Sequence, residues 1–259
     1  MRFFNRRIHK AVSELDTVEI SEQDGVRYLH LGNDTVQSAM RISAPNALEL
    51  SYTQAMLGFL LFTSTPPERA LLIGLGGGSL VKFLHHQLAD IHLTVAEINA
   101  KVINAAHQFF QVPPPSERLE ITLADATEFI INQTDHDCIL LDGFDSGCQV
   151  SSLATESFYS DCKNALTDDG VLSVNFWASD PQFDIYRRRL ADVFDQQIIY
   201  LPVEKRGNII AFAFASPPRY QTLRTLQQRA LQLTTQLGLP YTDFLERMRL
   251  HPNNAKLIP

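Results

Sequence analysis

The chain has 259 residues, 45% hydrophobic and 20% charged, with a formal net charge of −7. That supports one large α/β domain with a small appendage and removes any whole-protein electrostatic argument for nucleic acid. No apolar run approaches the roughly 18 residues of a membrane span, and Cys138, Cys148 and Cys162 have the spacing of neither a disulfide framework nor a zinc site. The expectation is a cytoplasmic protein with no metal and no nucleic-acid or membrane partner.

Taken in order, residues 1–12 are basic but lack the apolar core of a signal peptide, and read as a solvated arm. Residues 17–21 and 26–31 are strand-like and joined through Gln23-Asp24-Gly25, a turn signal. Gly32-Asn33-Asp34 turns into a further extended stretch over 35–42. Residues 1–45 are therefore expected to form an N-terminal β-hairpin or three-stranded piece, too small to stand alone. Pro45 and Asn46 open a predicted helix over 47–62, with Leu48, Tyr52, Ala55, Met56, Phe59 and Leu60 on one face.

Residues 69–97 organise the chain. Residues 70–73 form an apolar run of strand length, and Gly74, Gly76 and Gly78 follow as G-x-G-x-G. Apolar residues at helical spacing then run over 79–88, and a second apolar run, 93–96, ends in Glu97. This is one βαβ unit. Glycines allow close backbone approach to a ligand, a helix N-terminus offers unpaired N–H groups, and an acid at the next strand end can accept ribose hydroxyls. Glu97 lies 19 residues after Gly78, a distance suited to that role. The third glycine comes one residue too early for the dinucleotide fingerprint. The shorter pattern resembles the class I methyltransferase-type fold, which implies S-adenosylmethionine or a relative as ligand.

Beyond it come a helix over 100–110, a strand over 119–124, and Asp125 opening a helix to about 132. A fourth strand, 138–141, ends in Asp142, and a polar loop holds Asp145. A helix over 155–166, a strand over 170–176 and a helix over 180–194 begun by Pro181 follow. Two apolar runs, 197–203 and 208–215, joined through Glu204-Lys205-Arg206-Gly207, look like an antiparallel hairpin. A leucine-spaced helix over 219–237, broken by Pro240, and a shorter helix to Leu250 serve as core cover or dimer contact. The alternation argues for a Rossmann-like α/β domain over 46–218, built on a mostly parallel seven-stranded sheet with an antiparallel C-terminal hairpin, and a helical tail over 219–259. Ligands in such sheets sit outside the C-terminal strand ends, where Gly74–Gly78, Glu97, Asp125, Asp142 and Asp145 all fall.

From about residue 18 to 215 the chain resembles the spermidine synthase family of aminopropyltransferases. Thr35-Val36-Gln37, Ser51-Tyr52, the glycine loop from Leu72 to Gly78, Glu97-Ile98 and the run Leu141-Asp142-Gly143-Phe144-Asp145 carry the resemblance, with Phe158-Tyr159 and Leu166-Thr167-Asp168-Asp169-Gly170 continuing it. It departs where the family has an Asp and this chain has Gly77, where the helix motif's His/Gln and Glu are Thr53 and Gln54, where a proline is Ser146, and where a site tyrosine aligns with Glu204. The resemblance implies decarboxylated S-adenosylmethionine, or S-adenosylmethionine, as co-substrate. Gly74, Gly76, Gly78, Gln37 and Glu97 would hold the nucleoside. Asp125 and Ala126 would meet the adenine, although Asp125 also suits a helix N-cap. Tyr52, Gln54, Asp142 and Glu204 would line the amine side, and Asp145 would accept the amine's proton. The altered positions imply an amine acceptor other than plain putrescine. A methyltransferase, or a nucleoside-binding homologue without the reaction, stays open, and relatives imply a homodimer.

Overall fold

The computed structural model describes residues 6–12, 17–33, 35–145, 148–203, 207–218, 222–255 and 257–258. Four antiparallel strands come first: β1 (Arg6–Val12), β2 (Thr17–Gln23), β3 (Val26–Leu31) and β4 (Val36–Arg41). They form one sheet in sequence order. The N-terminal arm is thus a strand, not the solvated segment its basic residues suggest. Arg7 pairs with Glu19 across β2, and Lys10 reaches the same carboxylate at 3.5 Å. Ile8 packs on the core, and the His9 ring stacks 4.8 Å from Phe109.

The expected helix over 47–62 is reduced to α1 (Ser51–Ala55) and a 3₁₀ turn over Gly58–Leu61. The reason is burial on all sides. Every residue from Ala55 to Leu61 is buried, so the segment has no solvent face to present. Its carbonyls are taken instead by side chains of distant elements: Met56 O by Ser173, Leu57 O by Tyr241 and Leu60 O by Arg229.

The main unit then runs β5 (Arg69–Ile73), α2 (Ser79–Gln87), β6 (His92–Glu97), α3 (Ala100–Phe110), β7 (Leu119–Leu123), α4 (Ala126–Phe129) and β8 (His136–Leu141). The two-residue strands β9 (Phe144–Asp145) and β10 (Cys148–Gln149) pair with each other. Next come α5 (Glu156–Ala165), β11 (Leu166–Trp177), α6 (Phe183–Val193), β12 (Ile198–Pro202) and β13 (Asn208–Phe214), then the tail helices α7 (Leu223–Leu237) and α8 (Tyr241–Leu250). Helix α6 begins later than Pro181 suggests, because Asp180 closes a turn: its carboxylate accepts from Gln182 N–H and its carbonyl from Phe183 N–H.

The sheet order is β12-β13-β11-β8-β5-β6-β7. The five strands from β11 to β7 are parallel, and β13 alone is reversed, pairing antiparallel with β11 on one side and β12 on the other. This is the mostly parallel sheet expected from the alternation, in the class I methyltransferase-like form that the resemblance implies. One face is packed by α2, α3 and the tail, the other by α4, α5 and α6. The tail spends its apolar face on its own chain. Leu226, Ala230, Tyr241, Phe244 and Met248 join the cluster that holds Phe59 and Phe212. No described helix is long and apolar enough to cross a membrane.

The small sheet docks through polar as well as apolar contacts. Arg27 on β3 donates to Phe109 O, and Lys82 on α2 donates to Phe110 O at 2.7 Å, so two cations meet the carbonyl end of α3. Burial, reinforced by Arg27, lowers Lys82 to about 8. On β4, Ser38 Oγ lies 3.2 Å from Ser79 Oγ, which fixes that strand against the start of α2.

Candidate active site

The C-terminal ends of β5, β6, β7 and β8 open into a cavity of about 250 Å³. Its lining includes Gln37, Gly74, Gly76, Glu97, Asp125, Ala126 and Asp142. Three of these are carboxylates, and no Lys, Arg or His is among the described lining residues. No group of three His, Cys, Asp or Glu that could hold a metal occurs among the described residues.

The glycine turn is shaped by its neighbours. Gly74 has φ +93°, and an added Cβ would lie 2.6 Å from Asp142 O. The first glycine therefore lets β5 and β8 converge at the cavity floor. Gly78 has a different task. It is the left-handed N-cap of α2, and a Cβ there would lie 2.2 Å from Val112 Cγ2. It supports the loop and does not line the cavity.

Glu97 ends β6 with 8% of its surface exposed. Its Oε2 accepts from Leu75 N–H and its Oε1 from Asn99 N–H, both at 2.9 Å. Burial pushes this carboxyl up; the N–H groups of Leu75, Asn99, Gly76 and Ile98 oppose that rise. The acid thus organises the glycine loop as well as facing the cavity. Asp125 lies two residues past β7 and caps α4, its Oδ1 accepting from Thr127 N–H at 2.8 Å and Thr127 Oγ1 at 2.7 Å. Ala126, the first residue of α4, lines the cavity behind it.

Asp142 sits at the end of β8. Its Oδ1 accepts from Asn175 Nδ2 at 2.8 Å, and its Oδ2 lies 3.1 Å from the Tyr52 hydroxyl. The same hydroxyl is 3.1 Å from Gln37 O. Burial raises the Asp142 carboxyl, opposed by Asn175 and Tyr52. A narrow annex of about 30 Å³ continues past Asp142 between Ser38, Tyr52, Thr53 and Ser79. Gly77 lines neither space, but a Cβ there would be 2.7 Å from Ser38 Oγ, on the annex wall, and 2.9 Å from Phe110 Cδ1.

One expected amine-side residue, Gln54, lies elsewhere, and another is not described. Gln54 turns away to donate to Leu48 O at 2.7 Å and lines neither space. Glu204 falls outside the described residues. Asp145 lies on β9, three residues after Asp142, with its side chain outside what is described. Asn175 and Ser38 enter the site without having been singled out from the sequence, as does Asn99, two residues after Glu97.

A family model, the spermine/spermidine synthase domain, matches residues 49–212. A polyamine aminopropyltransferase of Neisseria meningitidis serogroup A is 40% identical over 253 residues, 97% of this chain and 96% of that one. The chain belongs to the spermine/spermidine synthase family. A second family member, a polyamine aminopropyltransferase of Chromobacterium violaceum, is 40% identical over 250 residues, 96% of this chain and 95% of that one. The fold likeness extends to a solved probable spermidine synthase of Corynebacterium glutamicum, 18% identical, with a TM-score of 0.73 over 90% of this chain and 88% of that one. In this chain the sheet places Glu97, Asp125 and Asp142 at strand ends around one opening.

Proposed function

We propose that the cavity binds decarboxylated S-adenosylmethionine and that this transferase passes its aminopropyl group to a primary amine. The observation that carries this reading is the charge of the cavity: Glu97, Asp125 and Asp142 line it, with no described cation. A sulfonium carrying an ammonium-terminated chain suits such a space. S-adenosylmethionine itself would bring in a carboxylate with no partner, at a desolvation cost that disfavours it.

In this reading Gln37, the glycine loop and Glu97 hold the nucleoside, with Asp125 and Ala126 at the adenine end. Asp142 holds the acceptor's ammonium beside Tyr52. The amine nitrogen, once deprotonated, attacks the chain carbon next to sulfur. The C–N bond forms, the C–S bond breaks, methylthioadenosine leaves, and the proton passes to a carboxylate, assigned to Asp145. Orientation within the cavity supplies much of the rest. Gly77 bears on the acceptor. It carries no charge, and Ser38 leaves no room for a side chain there. The annex offers hydroxyls beyond Asp142, which favours an acceptor other than plain putrescine.

Mass spectrometry of product amines, after incubation with decarboxylated S-adenosylmethionine and a diamine panel, tests this. Aminopropylated product is expected, and Asp145→Asn should slow turnover by about 10²–10⁴ while leaving methylthioadenosine affinity unchanged. Unchanged turnover in Asp145→Asn removes the base assignment. Methylated product from S-adenosylmethionine, with no aminopropylated amine, overturns the reading.

A further inference from the structure

Asp142 is the end of a chain of side chains that no motif announces. Asn175 donates Nδ2 to Asp142 Oδ1 at 2.8 Å, and its own Oδ1 accepts from Asn208 Nδ2 at 2.9 Å. Chemistry fixes the direction. An ionised carboxylate only accepts, so Asn175 must turn its NH₂ toward Asp142, leaving a carbonyl for another donor. Asn208 is that donor.

The sheet explains why these three meet. Strand β8 lies parallel to β11 with Leu141 opposite Val174, so the next residue of each, Asp142 and Asn175, come together at the strand ends. On the other side of β11, Asn175 is opposite Ile210 and Trp177 is opposite Asn208. Asn175 and Asn208 are therefore diagonal neighbours on one face of an antiparallel pair, within side-chain reach. Asn175 is 3% exposed between Val174 and Phe176, both fully buried. A buried amide in so apolar a strand is costly unless both of its ends are satisfied, and here both are.

We propose that Asn175, backed by Asn208, is a positioning pair for Asp142: it occupies Oδ1 and leaves Oδ2, beside the Tyr52 hydroxyl, to the incoming amine. Asn208 opens β13, so the pair also ties the carboxylate to the antiparallel pairing of β12 and β13. This rests on Asp142 being the residue that holds the amine. The groups facing Asp142 are Tyr52 from α1 and Asn175 from β11. Glu97 and Asp125 line the same cavity from the ends of β6 and β7, and Asp145 follows on Asp142's own loop. None is a cation, so Asn175 is a principal stabiliser of the ionised form. Without its donor, Asp142 protonates at higher pH.

The experiment is the pH profile of kcat/KM for aminopropyl transfer in the full chain, for Asn175→Leu, Asn175→Asp, Asn208→Ala and the Asn175→Leu/Asn208→Ala double variant. Asn175→Leu should raise the acid limb by about one pH unit and slow transfer on the order of 10-fold or more, with methylthioadenosine affinity unchanged. Asn175→Asp, nearly isosteric and so protected against misfolding, should raise the limb further, because two carboxylates then share the site. Asn208→Ala should move it less in the same direction, and the double variant no further than Asn175→Leu. An unmoved acid limb in both Asn175 variants, or additive effects in the double, overturns the pairing. Asp142→Asn separates the two levels. If it keeps full turnover, the reading of the site fails and the pair with it. If it is inactive while the Asn175 variants keep their limb, only the positioning role fails.

Discussion

Asp142 is a residue that the fold would do better without. Burial raises its carboxyl, so the folded state binds a proton there more readily than the unfolded chain does. Its contribution to stability is greatest at acid pH and declines as pH rises through and above the usual carboxylate range. Asp142→Asn keeps the shape, can still accept from Asn175, and removes that decline. It should raise Tm at pH 7 by about 2–4 °C for each kcal/mol recovered while transfer activity is lost; calorimetry on an inactive variant that melts lower would contradict this. Burial raises Glu97 in the same direction, against the opposing N–H groups of Leu75, Asn99, Gly76 and Ile98. Its position was legible in the sequence because a βαβ unit is local: strand length, turn and helix fix how far an acid lies from the glycines. Asp125 was legible in the same way, including its N-cap. Asn175 was not. Its meeting with Asp142 spans 33 residues and depends on the register of β11 against β8, which no local pattern encodes.

At the scale of elements, the glycine loop makes the sharpest prediction. Gly74 combines a positive φ with a Cβ position 2.6 Å from Asp142 O, a backbone atom that cannot step aside without moving the end of β8. Gly74→Ala should cost about 1–3 kcal/mol for the strained backbone alone, and more for the clash. It should weaken methylthioadenosine binding and acceptor turnover together, since both halves of the site hang on that crossing. Denaturant titration and calorimetry check the two effects, and a variant with normal stability and binding would be inconsistent with the geometry. The alternating strands and helices from β5 onward were legible because each has a strong period. The segment after β4 misled because its apolar residues suit a helical face but are buried all round, and its carbonyls find partners in β11, α7 and α8. The basic arm misled for the opposite reason: its charges are paired across the sheet with Glu19.

The whole molecule carries a pH sensitivity away from the site. His136, at the start of β8, is 1% exposed. Burial, helped by Arg69, lowers it to about 4, so it stays neutral in the fold when it would be charged in the unfolded chain. Between about pH 6.5 and 4 the unfolded state takes up the extra proton, and stability falls as pH falls. His136→Leu should narrow the difference in Tm between pH 7 and pH 5; an unchanged difference would assign the acid sensitivity to other groups. The far edge of the sheet has a consequence of another kind. Among the described residues, strand β12 has no neighbouring strand on its outer side, yet Asn254 receives Tyr200 N–H at 2.8 Å and donates to Tyr200 O at 2.7 Å, and Arg247 donates to Pro202 O at 2.7 Å. Two tail side chains therefore stand in for a missing strand and mask a template for intermolecular pairing. Asn254→Ala should leave the catalytic chemistry intact but make the protein's shelf life depend on concentration. Static light scattering over days at several milligrams per millilitre should rise in the variant and stay flat in the parent, even where freshly prepared samples of both are equally active. On this expectation the tail governs colloidal behaviour, through an amide and a guanidinium at the edge of the sheet opposite β7.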